Sequence, residues 1–194
     1  MSDSITMHGH ERRLMTTKAY RLLTAHVIAP YALQGSHPHG RVLEVGAGVG
    51  ALADHLLAVT PDLEMVVTDV DPEMCSMATA TLRPHGPRVA VEQADANSLP
   101  FADDTFDFVL SVLMLHHTGD WRQTLREAIR VMRPGGRLVG FDVVAGAPLH
   151  RGRRAPTLLA RGELGAFLPG LEVVDVLVRP ALGPAAVRFV ATKR

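Results

Sequence analysis

Cysteine is almost missing from this chain: Cys75 is the only one in 194 residues. A lone thiol excludes an internal disulfide framework and any metal centre built on several thiolates. Lysine is nearly as scarce, with Lys18 and Lys193 alone, so arginine supplies the positive charge. Twenty acidic residues balance twenty Lys and Arg. The chain therefore lacks the excess of one sign that nucleic acid or anionic membranes would select. No apolar run approaches the roughly 20 residues that cross a bilayer, and the opening Met1-Ser-Asp-Ser has neither a basic nor an apolar signal region. These absences lead to the expectation of a soluble, cytoplasmic protein with no nucleic-acid or membrane partner.

What is present is 47% apolar content, enough over this length to bury one core. From Arg41 onward, short β-rich runs alternate with helix-length segments. Strands are expected at Val42–Val45, Glu64–Thr68, Arg88–Glu92, Phe106–Leu110 and Arg137–Asp142, with helices at Gly50–Val59, Pro72–Leu82 and Trp121–Met132. That alternation is the mark of a parallel sheet with helical crossovers. Asp71 suits an N-cap and Pro72 a first-turn position, while Arg133-Pro134-Gly135-Gly136 stops the third helix.

Two further strands, Leu171–Arg179 and Ala186–Thr192, are separated only by Pro180 to Ala185. A parallel pair needs a crossover of about a dozen residues, so these must be antiparallel neighbours or lie in different sheets. The simplest solution is an open parallel sheet ending in one antiparallel strand, with a helix from about Pro156 to Phe167 leading into the pair. Upstream, Glu11 to Leu33 carries a helical rhythm at Met15, Ala19, Leu22 and Leu23, with Pro30 marking an end or a kink. Residues 1–40 are accordingly expected to form a helical lid on a core of residues 41–194.

In such a sheet the chemistry belongs beyond the carboxyl ends of the strands. After the first strand come Gly46, Gly48 and Gly50, where absent Cβ atoms allow a tight turn and close approach of a ligand to backbone. Asp69 follows the second strand about twenty residues later, a spacing suited to a carboxylate on ribose hydroxyls. Asp95 between Ala94 and Ala96 follows the third strand, placed to meet an adenine edge. Ser111 to His117 follows the fourth.

Five blocks then stand in order: Val42-Leu-Glu-Val-Gly-Ala-Gly-Val-Gly50, Val67-Thr-Asp-Val-Asp-Pro-Glu-Met74, Ala94-Asp-Ala-Asn-Ser-Leu-Pro-Phe101, Leu115-His-His117 and Met132-Arg-Pro-Gly-Gly136. The set resembles the class I S-adenosylmethionine-dependent methyltransferases, and among them the small-molecule methylases of the ubiquinone and menaquinone type. The resemblance covers about residues 41 to 144. It implies a Rossmann-like, doubly wound α/β sheet, mostly parallel with one antiparallel strand near the C-terminus. It implies S-adenosylmethionine as cofactor, S-adenosylhomocysteine as product and a small-molecule acceptor. Gly46, Ala47 and Gly48 would face the methionine moiety with Glu44 near its ammonium group. Asp69 would hold the ribose, Val70 and Met74 the adenine face, and Asp95 and Ala96 its edge, with Ser111 completing the cofactor set. His116 and His117 would be the general-base candidates.

Each residue also has a plainer reading. Glu44 would otherwise be a strand carboxylate paired with an arginine, Asp69 a turn residue before Pro72, and one of the two histidines mere packing against the cofactor. His8, His10, His26, His37 and His39 match no ligand spacing, so no metal is expected. His150-Arg151-Gly152-Arg153-Arg154 would be a solvated loop, or else rim the substrate opening for an anionic group. Two rival functions remain. Gly46 to Ala51 also satisfies the dinucleotide fingerprint of an NAD(P)-dependent oxidoreductase, although a full dinucleotide fold needs a second parallel half. The other rival is a non-catalytic cofactor-binding relative. A monomer or homodimer is expected.

Overall fold

The computed structural model describes residues 15, 17–144, 162–181 and 185–194. Seven strands form one sheet in the order β3-β2-β1-β4-β5-β7-β6. They are β1 (Arg41–Val45), β2 (Glu64–Asp69), β3 (Val89–Gln93), β4 (Phe106–Val112), β5 (Met132–Val143), β6 (Val173–Ala181) and β7 (Ala186–Lys193). The first five are mutually parallel; β7 is antiparallel to both β5 and β6.

The expected antiparallel strand is therefore present, but it sits inside the sheet and β6 takes the edge. Burial explains the order. β7 is buried along six consecutive residues, whereas β6 is exposed or half-buried after Val173. The strand buried on both faces goes inside.

Helices cover both faces because successive strand side chains point opposite ways. Leu43 and Val45 of β1 and Val109 of β4 pack with Trp121, Leu125, Ala128 and Ile129 of α5 (Trp121–Val131). Val42, Met65, Val67, Phe108 and Leu110 pack instead with Leu52, Leu56 and Leu57 of α3 (Ala51–Val59) and Ala78 and Leu82 of α4 (Pro72–Leu82). Both longer helices start as expected. The Asp71 side chain accepts from the Glu73 N–H at 2.9 Å, and the Asp120 side chain from Arg122 and Gln123 at 3.0 and 3.1 Å.

The chain Arg133-Pro-Gly-Gly136 both ends α5 and bulges β5. Met132 pairs with Phe106, but Arg137 is already opposite Phe108. Upstream, helix runs through α1 (Lys18–Leu23), a π turn (Thr24–Ile28) and α2 (Ala29–Leu33). The expected irregularity at Pro30 is realised as this π turn, closed by an Ala29 N–H to Thr24 O bond. Widening the coil here relieves the clash between a proline ring and the carbonyl four residues back. Of the helix expected from about Pro156, α6 (Glu163–Phe167) is described; residues 156–161, like His8, His10 and His150–Arg154, lie outside the described residues. Among the described residues no helix is long and apolar enough to cross a membrane.

Candidate cofactor and acceptor site

The strand order reverses between β1 and β4, where crossovers leave toward opposite edges and open a crevice above the strand ends. A cleft of about 860 Å³ lies there. Gly46 and Gly48 line it after β1, Asp69, Val70 and Asp71 after β2, and Ala94 to Asn97 after β3. Leu113, Met114, His117, Thr118 and Gly119 line it after β4, with Met74 of α4 and Met15 from the N-terminal segment.

Glycine is required at two positions of the first loop. Gly46 and Gly48 have φ of +69° and +54°, in the left-handed region disfavoured for other residues. A Cβ on Gly46 would also drive into the Met114 side chain. The loop thus lies against the β4 exit, and its turn exposes backbone to the cleft. The Gly48 N–H donates to Asp69 Oδ2 at 2.9 Å, and the Asp71 N–H to Asp69 Oδ1 at 3.0 Å. Two backbone donors thereby orient the carboxylate, which keeps lone pairs for a ligand. Burial pushes the Asp69 carboxyl above the ordinary carboxylate range. Asp95 ties its own loop, accepting the Asn97 N–H at 2.9 Å, and Asn97 accepts from the Thr124 hydroxyl of α5 at 2.8 Å.

A second cavity of about 400 Å³ adjoins the cleft, sharing Met15, Gly46 and Leu113 with it. Its core wall is Glu44, Ala47, Ala51 and Leu52; its other wall is Tyr20, Thr24 and Ile28 of the N-terminal helix. Glu44 is 4% exposed, and its Oε2 has no hydrogen-bond partner among the described residues. Burial pushes its carboxyl up to about 8. An arginine partner, the plainer reading of this residue, is absent among the described residues. An unpaired buried carboxyl is a poor structural element and a good receptor for a cation.

Beyond β4 the chain turns at Leu113, a non-glycine residue with φ of +55°. His116 Nδ1 lies 2.6 Å from Asp142 Oδ1 at the end of β5. Asp142 also accepts backbone N–H groups from Met114, Leu115 and Val143 at 3.0, 2.6 and 2.7 Å. A carboxylate surrounded by donors accepts from each, so the proton of the pair sits on His116 Nδ1. The His117 ring lies with its centroid 4.0 Å from that of His116, and it is His117 that lines the cleft.

The structure thus gathers Gly46, Gly48, Asp69, Val70, Met74, Asp95, Ala96 and His117 around one cleft, and Glu44 and Ala47 around its neighbour. Ser111 and His116 lie outside both linings: Ser111 is a buried mid-sheet residue opposite Val45 and Gly140. Sequence reasoning missed Asp142, 26 residues from His116. It also missed Tyr20 and Thr24, whose polar side chains fall on the helical rhythm that was read only through its apolar positions.

This is the crevice of a nucleoside-binding, doubly wound α/β protein. A family model described as a methyltransferase domain matches residues 42–136. An uncharacterized protein of Mycobacterium tuberculosis is 33% identical over 136 residues, 68% of this chain and 49% of that one. The demethylmenaquinone methyltransferase of Thermus thermophilus is 37% identical over 102 residues, 53% of this chain and 46% of that one. The chain thus spans about half the length of the curated relatives it matches. A crystal structure of a SAM-dependent methyltransferase from Aquifex aeolicus superposes with a TM-score of 0.76 at 20% identity, covering 97% of this chain and all of that one. The chain belongs to the class I S-adenosylmethionine-dependent methyltransferases. The family's cofactor fits the residues present: it carries an ammonium and a sulfonium, and the orphaned Glu44 oxygen beside the Gly46 loop is the kind of group they would neutralise.

Proposed function

We propose that this chain catalyses methyl transfer from S-adenosylmethionine to a small organic acceptor held beyond His117. The observation that carries the reading is the pair of adjoining cavities, one presenting Asp69 beneath a glycine loop and the other a buried Glu44 whose Oε2 has no partner among the described residues. Asp69 accepts from the ribose hydroxyls, Val70 and Met74 take one adenine face, Asp95 and Ala96 its edge, and Glu44 the ammonium end.

When bound, the cofactor supplies a methyl group on sulfur that leaves as a neutral thioether. The protein's task is then to hold an acceptor atom in line with that methyl carbon, because positioning accounts for much of the rate of such a displacement. His117 faces the space where the acceptor would stand, with His116 and Asp142 fixing the turn behind it. An acceptor that must lose a proton, such as a hydroxyl, is the kind for which an imidazole there is useful. The helix from Lys18 to Leu33, the part of the expected 1–40 lid that lies within the described residues, covers the end of the sheet and screens the reacting atoms from water. The name of the Thermus relative makes a quinone ring the first acceptor to try.

Calorimetry on the folded chain tests the reading. S-adenosylmethionine and S-adenosylhomocysteine should both bind with micromolar affinity, NADH should not, and a panel of phenolic and quinol acceptors should release S-adenosylhomocysteine. Absence of heat with both the methyl donor and its demethylated product overturns it.

A further inference from the structure

Among the described residues three arginines are matched to carboxylates: Arg122 with Glu163, Arg130 with Asp103 and Glu127, Arg133 with Asp107. One face of the β5–β7–β6 ribbon instead brings arginines together. Arg179 of β6 and Arg188 of β7 stand directly opposite each other in the antiparallel ladder, and neither has a carboxylate partner among the described residues. Like charges facing across a ladder repel. Arg188 is only 6% exposed. Its Nε and Nη2 donate to the carbonyls of Ala32 and Gln34 at 3.0 and 2.6 Å, so it caps the end of α2, a structural role favoured by the helix dipole. Nη2 also reaches Ser36 Oγ at 3.4 Å, and among the described residues no hydrogen bond engages Nη1 or the Arg179 side chain. Nearby Arg137, on the same face of β5, has a buried Nε with no hydrogen-bond partner. Burial, and then the charges of Arg137 and Arg179, push the Arg188 guanidinium down from its usual range.

Arg188 is buried and Arg179 is exposed. The two border a groove of about 470 Å³ whose remaining walls include Tyr31, Gln34, Leu177 and Pro180. That is the size of a small-molecule pocket. A layer of apolar side chains, among them Ala32, Phe141, Ala186 and Leu113, packs between this groove and the methyl-donor cleft, so the two are separate sites.

We propose that this groove binds a small organic anion, its carboxylate or phosphate group held between Arg179 and Arg188 and its apolar body against Tyr31 and Leu177. Guanidinium forks match the planar oxygen pairs of both groups, and an anion there relieves the repulsion across the ladder. The site stands whether or not the methyl-transfer reading holds.

Inorganic phosphate and benzoate, titrated separately into the full chain at low ionic strength, test it and distinguish the two anion types. Saturable binding of at least one probe is expected, weakened tenfold or more by Arg179→Gln and unchanged by Arg126→Gln, an exposed arginine on α5. S-adenosylhomocysteine affinity should be the same in both variants. A second readout is stability: in phosphate-free buffer Arg179→Gln should raise Tm, because it removes one of two facing charges. No saturable binding of either probe up to about 10 mM, or equal affinity in Arg179→Gln, overturns the proposal.

Discussion

The exits of β1 and β5 each bury a carboxylate, and they treat it in opposite ways. Asp142 at the end of β5 is fully buried and meets four donors, three from backbone and one from His116. Glu44 in β1 is nearly as buried, yet one of its oxygens meets none. A satisfied buried carboxylate organises backbone; an unsatisfied one stores free energy that a ligand can release. The β5 exit is thus built as a scaffold for the Met114–His117 turn, and the β1 exit as a receptor awaiting a positive group.

The largest effect should come from the scaffold side. Asp142→Ala strands three backbone N–H groups and a histidine in a dry interior. The expected loss is about 3–5 kcal/mol, a fall in Tm of about 10 °C read by thermal unfolding. Cofactor binding at the remaining native population should change little. A variant with unaltered Tm would break the comparison, because Asp142 would then be as dispensable to the fold as Glu44.

The β2 exit sharpens it from the receptor side. Asp69 is oriented by two backbone donors but keeps capacity for a ligand. Asp69→Ala should weaken cofactor binding ten- to a hundredfold, about 1.4–3 kcal/mol by calorimetry. Its Tm without cofactor should shift by less than that of Asp142→Ala. Unchanged affinity in a folded variant would remove Asp69 from the site.

How much of this was legible in the sequence follows the reach of each interaction. Helix α4 lies at Pro72–Leu82, as expected, because its cap, its proline and its apolar face are all local. The glycines and Asp69 were legible because each immediately follows a recognisable strand. The Asp142–His116 bond was not, since it depends on β4 and β5 being neighbours, and an acidic residue at a strand end looks the same with or without a partner. Ser111 lies outside both linings for the complementary reason: a small polar residue near a strand end gives no sign of which face it occupies. The inner position of β7 follows from its unbroken burial, and the contrast with β6 becomes decisive only when both strands are placed in one sheet. The pairing of Arg179 with Arg188 likewise needs the antiparallel register.

The smallest and most diagnostic effect concerns Glu44, whose two tasks pull against each other. Its carboxyl is raised from 4.5 to about 8 in the folded chain, so between those values the folded state holds a proton that the unfolded state has released. Stability therefore falls as pH rises through that window, is unaffected below it, and levels off above about 8; the ceiling on the loss is about 5 kcal/mol. Glu44→Gln removes the titration but leaves an amide that itself wants partners, so the net gain near pH 8 should be about 1–2 kcal/mol. The difference in Tm between variant and parent should shrink as pH is lowered toward about 4.5. The same substitution should weaken cofactor binding, and it should flatten the rise in affinity expected of the parent as pH approaches about 8, where Glu44 ionises and gains a cation to face. A variant that is stabilised yet binds cofactor with undiminished affinity would mean that the ammonium lies elsewhere. A variant that is destabilised at every pH would mean that Glu44 is as well partnered as Asp142, and the contrast between the two exits would be lost.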